Sequence, residues 1–127
     1  MIITSLVGFS LRVLSGKIIP QFKVSLNAFV DGLQPHDVVR TGDLLTVESS
    51  CERLRFEPGE KSSRAFMALV NYATDQVIVE EVSVEEKVTN KKFQMFLRAR
   101  GKNKLRVFVF RGDGQIDSSF YKEVSVA

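Results

Sequence analysis

The chain has 127 residues, of which 44% are hydrophobic and 26% charged, and its formal net charge is +3. This is the composition of a globular protein of one-domain size, and it excludes collagen-like and disordered classes. Its single cysteine, Cys51, excludes an intrachain disulfide and a multi-cysteine zinc site, and its single histidine, His36, argues against a histidine-rich site. We expect one domain over residues 1–127 with Cys51 buried, the alternative being a reactive thiol beside Arg53 and Arg55.

Neither a membrane span nor a secretion signal is expected. No apolar run approaches the roughly 20 residues of a spanning helix. The first residues lack the positive charge that opens a signal peptide, and Arg12 interrupts the apolar stretch. We therefore expect an intracellular protein, in the cytoplasm or the nucleus.

Alternation of apolar and polar residues with a period of two predicts strands along most of the chain. Residues 2–7 and 9–14 form either a hairpin or one bent edge strand, so residues 1–20 are expected to be irregular or an edge strand. The next strand is residues 22–30, where every second residue from Phe22 to Val30 is apolar. The remaining predicted strands are residues 43–48, 51–56, 64–72, 76–84, 92–98, 104–111 and 115–126.

Turn residues separate these strands. The turns are residues 31–32, 41–42, 57–60, 101–103 and 112–114, which are rich in Gly, Asp and Pro. A short helix over residues 84–88 competes with a strand there. About eight strands joined by such turns predict an all-β fold, a single antiparallel β-sandwich of about seven to nine strands.

The basic residues are concentrated in one stretch. Residues 87–111 contain nine Lys or Arg and no acid, whereas the rest of the chain has nine basic and fifteen acidic residues. Acids cluster just before this stretch, at Glu80, Glu81, Glu85 and Glu86. The surface should therefore be strongly asymmetric in charge.

A hairpin of residues 92–98 and 104–111 would gather these charges on one face. Phe93, Met95 and Leu97 would point inward, while basic and aromatic side chains would share the outer face. Such a mixture can neutralise phosphates and stack bases, at roughly 1–3 kcal/mol for each base. Alternatively, the lysines are a solvated edge, and the acidic strand lies beside the basic one and exchanges ion pairs with it. The candidate partner- or nucleic-acid-binding residues are Lys92, Phe96, Arg98, Lys102, Lys104, Arg106, Phe108 and Phe110.

We expect no catalytic residues, no metal site, no cofactor and no small-molecule substrate, and hence no enzyme. His36 beside Asp37 could serve a nucleophile at residues 49–51, but the spacing favours a solvent-facing turn histidine. Adjacent acids such as Glu80 and Glu81 point to opposite faces of a strand, so they do not form a glycosidase pair. Asp113 and Asp117 offer too few oxygens for calcium.

From about residue 42 to its end, the chain resembles an immunoglobulin-like or fibronectin-type sandwich. The resemblance rests on the early strand Gly-Asp-Leu-Leu-Thr-Val (42–47), a central strand pair (66–72 and 77–82) and a terminal hairpin (104–110 and 120–126). It is similar also to the terminal sandwich domain of spliceosomal DExH helicases and the related ER translocation subunit. It departs from that domain in lacking the central tryptophan, where Phe66 or Met67 stands, and the preceding helical part.

The resemblance implies a binding or scaffolding role. We expect a non-catalytic protein-interaction or structural module that associates with itself or with other proteins, as a subunit of a larger complex or a virion. The alternative is a nucleic-acid-binding β-domain that uses the basic hairpin over residues 91–111.

Overall fold

A computed structural model describes residues 22–34, 36–53, 64–83, 85–112, 114 and 116–127. These residues form seven strands and no helix. The strands are β1 (Phe22–Val30), β2 (Leu44–Arg53), β3 (Ala65–Asn71), β4 (Gln76–Val82), β5 (Val88–Phe96), β6 (Gly101–Arg111) and β7 (Ile116–Val126).

Two antiparallel sheets make up the fold. One has three strands in the order β1-β2-β5, and the other has four in the order β4-β3-β6-β7. The chain passes from one sheet to the other after β2, after β4 and again after β5. The predicted all-β class is confirmed.

The core lies between the sheets, and the period of two in the sequence predicts which residues enter it. Val47 and Phe93 contribute from the three-stranded sheet, while Met67, Leu105 and Val107 contribute from the four-stranded sheet, and none of these is more than 1% exposed. Phe93, Met95 and Leu97 point inward as predicted. Burial of these alternate residues fixes the register of each strand, because a slip of one residue would turn the apolar set to solvent.

One strand replaces two predicted ones. The sequence suggests a break between residues 48 and 51, yet β2 runs unbroken through Ser49 and Ser50. Both serines are paired on both sides, Ser49 with Leu26 and Lys91, and Ser50 with Ser25 and Asn90. A central strand keeps its backbone bonds on both edges, and this outweighs the low strand preference of serine.

The region around β5 also differs from the prediction. Residues 85–87 form a bend and β5 begins at Val88, so the helix alternative for residues 84–88 is wrong over its described part. Residues 101–103, predicted as a turn, belong to β6, and the connection is residues 97–100. The pairing of Gly101 with Val126 accounts for this, because β7 is long enough to extend the ladder past the predicted turn.

Several predictions lie outside the described residues: the amino-terminal hairpin or edge strand, the turn at 57–60, and the residues Val84 and Asp113. Within the described ranges, no helix is long and apolar enough to cross a membrane.

Candidate functional site

The predicted basic hairpin is wrong. Its two strands, β5 and β6, belong to different sheets, so their outward side chains lie on opposite faces of the sandwich. Lys92 and Phe96 face outward from the three-stranded sheet, whereas Arg106, Phe108 and Phe110 face outward from the four-stranded sheet. The eight candidate residues therefore do not form one surface.

The outer face of the three-stranded sheet is largely polar. Cross-strand neighbours there are Asn27 with Glu48, Glu48 with Lys92, and Ser25 with Ser50. A shallow groove of about 450 Å³ crosses this face. Phe96, opposite Leu44 at the end of β5, does not line this groove and is 55% exposed.

The outer face of the four-stranded sheet is apolar over β3, β4 and the end of β6, and we call this part the apolar face. The rest of that outer face carries Lys104, Arg106, Ser119 and Tyr121. In one row Phe66 on β3 pairs with Phe110 on β6, and their rings stack with centroids 5.3 Å apart. In the next row Ala68 lies between Val79 and Phe108. The members of the apolar face are Phe66, Ala68, Val70, Val77, Val79, Phe108, Phe110 and Ile116.

Several of these side chains are open to solvent although they are aliphatic. Val77 is 57% exposed, Val79 48% and Ile116 47%. Strand pairing forces them outward, because Val77, Val79 and Glu81 alternate with the half-buried Ile78 and the buried Val82. The sequence identifies β4 as a strand, but not which of its faces is left uncovered.

Arginine side chains at the rim of the apolar face are held by its rings. The Arg106 guanidinium lies 4.5 Å from the centroid of Phe108 and 5.5 Å from that of Tyr121. It also donates to the Ser119 hydroxyl at 2.7 Å and to the Tyr72 hydroxyl at 3.4 Å. Base stacking on Phe108 would therefore first have to displace Arg106, which argues against the predicted nucleic-acid surface at this place.

The alternative that the acidic strand lies beside the basic one holds only in part: β4 pairs only with β3 among the described strands, but Glu80 does form an ion pair with Lys91 of β5. The two carboxylates of β4, those of Glu80 and Glu81, each contact a cationic side chain. Glu81 accepts two hydrogen bonds from Arg64, at 2.7 and 3.0 Å, and these lower the pKa of its carboxyl. Glu80 lies 3.5 Å from the Lys91 ammonium, across the gap between sheet edges. The two acids point to different partners, as adjacent strand residues should.

A second basic surface lies at one end of the sandwich, where the chain crosses from β5 to β6. We call residues 98–104 the basic loop, and its cations are Arg98, Arg100, Lys102 and Lys104, all exposed. Among the described residues, no acid lies within ion-pair distance of these four. Lys104 contacts the Tyr121 ring at 4.7 Å.

Buried asparagines hold this loop in place, a feature that the sequence analysis missed. Asn103 is fully buried, and its amide nitrogen donates to the carbonyls of Ala99 at 2.9 Å and Gly101 at 3.2 Å. Its oxygen accepts a bond of 3.0 Å from the amide of Asn71, which is equally buried. In a sequence, asparagine is typical of turns, so neither residue suggests a buried contact. Only the positions of Asn71 in β3 and Asn103 in β6 show that the two side chains meet.

The start of the loop is anchored by backbone bonds. Leu97 donates to the Asp43 carbonyl at 2.9 Å and accepts from the Gly42 amide at 2.7 Å. Since both ends are tied to buried or paired groups, the four cations are presented by a fixed backbone.

Cys51 is buried, as predicted, and is only 2% exposed. Burial raises the pKa of its thiol from 9.0 to about 12, and the negative charge of Asp117 adds to this rise. The alternative of a reactive thiol is therefore wrong. Asp117 itself accepts a bond of 2.8 Å from the Phe22 amide and one of 3.2 Å from Arg111, which ties β1 to the β6–β7 hairpin.

The possible histidine–acid pair has little support in the geometry. His36 is exposed, and the Asp37 carboxylate accepts a bond from the Gln34 amide at 2.9 Å, an arrangement that closes a turn. Asp37 and Leu45 line the same cleft. Cys51 lies six residues further along β2 than Leu45, or about 20 Å at the usual strand rise, so it is too far to serve as the nucleophile of this pair. The described part of the chain holds no group of three or more His, Cys, Asp or Glu side chains that could bind a metal.

Comparison with known protein families and with curated proteins gives no match to this chain.

Proposed function

We propose that this protein is a non-catalytic interaction module that assembles with other protein through the apolar face of its four-stranded sheet. The observation that carries the proposal is the exposure of Val77, Val79 and Ile116 beside the stacked rings of Phe66 and Phe110. A contiguous exposed apolar patch with a polar rim is typical of a protein-binding surface.

The contrast between the two outer faces supports this proposal. Both sheets bury one face in the same core, yet the middle of the three-stranded sheet's outer face carries Ser, Asn, Glu and Lys, with the exposed Val88 and Phe96 at its two ends. If solvent were the only neighbour of the four-stranded sheet, the same polar residues would serve there. Four strands at about 4.8 Å spacing give a face about 19 Å wide, which is broad enough for a flat sheet or helix surface.

The rim would orient such a partner. Arg64 and Glu81 neutralise each other at one end, and Arg106 is fixed over Phe108 where the apolar face meets the polar part of the same sheet. Preformed side chains lose little entropy on binding, which favours complex formation.

An immunoglobulin-like or fibronectin-type sandwich is our proposal for the finer fold. The order β1-β2-β5 against β4-β3-β6-β7 supports it, because β3 and β6 are central neighbours and β7 closes a terminal hairpin. Domains with this architecture act through their faces, edges and loops, although the fold alone assigns no function.

The test is a pair of matched double variants. Val77→Lys with Val79→Lys places two charges in the apolar face, and Ser25→Lys with Asn90→Lys places two on the polar face. Sedimentation velocity over a wide concentration range measures self-association. Affinity enrichment with quantitative mass spectrometry measures other protein partners.

We expect the wild-type protein to associate, the first variant to lose that association, and the second to keep it. The proposal would be contradicted if the wild-type protein stayed monomeric and if every protein that it enriched were enriched equally by the Val77/Val79 variant. So would equal losses in both variants. Circular dichroism of each variant confirms that the fold is kept.

A further inference from the structure

The basic loop has no role in the proposed assembly, and none of its cations forms an ion pair with a described residue, although Lys104 contacts the Tyr121 ring. We propose that it binds single-stranded nucleic acid across the end of the sandwich, with Arg98, Arg100, Lys102 and Lys104 on the phosphates and exposed aromatic rings at each side. This site differs from the predicted hairpin surface, because it excludes Phe108, Phe110 and the ring-bound Arg106.

Preorganisation is the first argument. The Asn103 amide fixes the carbonyls of Ala99 and Gly101, and Leu97 is bonded to the turn at residues 42–43. Lys102 and Lys104 share the outer face of β6, while Arg98 and Arg100 are exposed in the connection that precedes it. A polyanion would therefore meet these four cations without the cost of ordering the loop backbone.

Exposed aromatic rings flank the loop on both sides. Phe96 precedes Arg98 on the outer face of the three-stranded sheet, and it is 55% exposed. Tyr72, which is 47% exposed, lies next to Lys104 through a backbone bond of 2.9 Å. No cation or second ring covers Phe96 in the described part of the chain, so its ring is free to stack a base.

This combination favours nucleic acid over an acidic peptide. Carboxylates would need only the cations, whereas a row of cations between open aromatic rings suits alternating phosphates and bases. The two sheets are about 10 Å apart. Because Phe96 and Tyr72 project from their opposite outer faces, a strand of several nucleotides is needed to run across the loop and reach both rings.

The test is fluorescence anisotropy with labelled 12-nucleotide oligo(dT) and oligo(U), titrated at several salt concentrations. The paired change Arg98→Gln with Arg100→Gln removes two loop charges. Its matched control, Lys23→Gln with Lys92→Gln, removes two charges from the polar face and gives the same net charge.

We expect the loop variant to bind about tenfold more weakly and its log–log salt slope to be shallower by about 1.4, since each neutralised phosphate of a single strand contributes about 0.7. The control should change affinity by less than about twofold. Equal losses in the two variants, or no wild-type binding at low salt, would overturn the proposal.

A second comparison separates stacking from charge. Phe96→Ala should weaken binding without changing the salt slope, whereas Val88→Ala, at the far end of β5, should leave both unchanged. Poly-L-glutamate is the competitor for the other polyanion class. If it displaces the oligonucleotide as well as unlabelled oligo(dT) of equal charge does, the site belongs to acidic proteins and the proposal is wrong.

Discussion

Replacing Asn103 with alanine removes the side chain that holds the basic loop and should destabilise the whole protein. Three hydrogen bonds are lost, one to Asn71 at 3.0 Å and two to loop carbonyls at 2.9 and 3.2 Å. The bond to Asn71 is buried, so its loss costs about 1 kcal/mol and the unpaired amide adds about another 1 kcal/mol. The carbonyls of Ala99 and Gly101 are only partly buried and can regain water, at about 0.5 kcal/mol each.

The sum is a decrease of about 3 kcal/mol in the free energy of unfolding, or a fall in Tm of about 12 °C for a chain of this size. Urea denaturation followed by circular dichroism measures this decrease. The control is Asn90→Ala on the exposed polar face, whose free energy of unfolding should stay within about 0.5 kcal/mol of the wild-type value. The double variant Asn71→Ala with Asn103→Ala leaves no orphaned amide, so it should cost at least about 1 kcal/mol less than the sum of the single variants. A loss below about 1 kcal/mol for Asn103→Ala, or strict additivity, would refute the reasoning.

Three further predictions concern two buried ionisable groups, Cys51 and Asp117. Because the folded state raises the pKa of Cys51 from 9.0 to about 12, the stability that this thiol contributes is complete below pH 9 and is lost as pH rises towards 12. Between pH 8.5 and 10.5 the unfolding free energy of the wild-type protein should therefore fall more steeply than that of Cys51→Ala. Equal pH dependence in the two proteins would contradict the raised pKa of the thiol. The native thiol should also resist a disulfide reagent at pH 8 until urea unfolds the chain. Asp117→Asn removes a fully buried charge opposite Arg111, so the unfolding free energy in urea should drop by about 3 kcal/mol, and a drop below about 1 kcal/mol would contradict the assigned contacts.

Much of the secondary structure was predictable because the signal is local. Strands β1, β3, β4 and β7 lie within about two residues of their predicted bounds at each end. The predicted inward residues Phe93, Met95 and Leu97 are all buried. The predicted break at Ser49 and Ser50 is wrong because β1 and β5 pair with this stretch on both sides, and neither strand adjoins it in the sequence.

The candidate site was predictable only in its composition. The sequence shows that cations and phenylalanines share residues 92–111, but not that a connection of four residues, 97–100, crosses between sheets. A short connection can close a hairpin or change sheets, and the choice depends on long-range pairing such as that of Phe66 with Phe110. That choice separates Phe96 from Phe108 and leaves the cations of the basic loop at one end.

The sequence by itself determined the all-β class and which residues of 92–98 point inward, because side-chain direction alternates along a strand. It also indicated the burial of Cys51, because free cysteine is among the most buried residue types. Tertiary structure alone decided which strands are neighbours, which outer face stays apolar and where Asn71 meets Asn103. These are contacts between residues far apart in the chain, and their free energies depend on how two sheets fit together, which no local pattern of residues encodes.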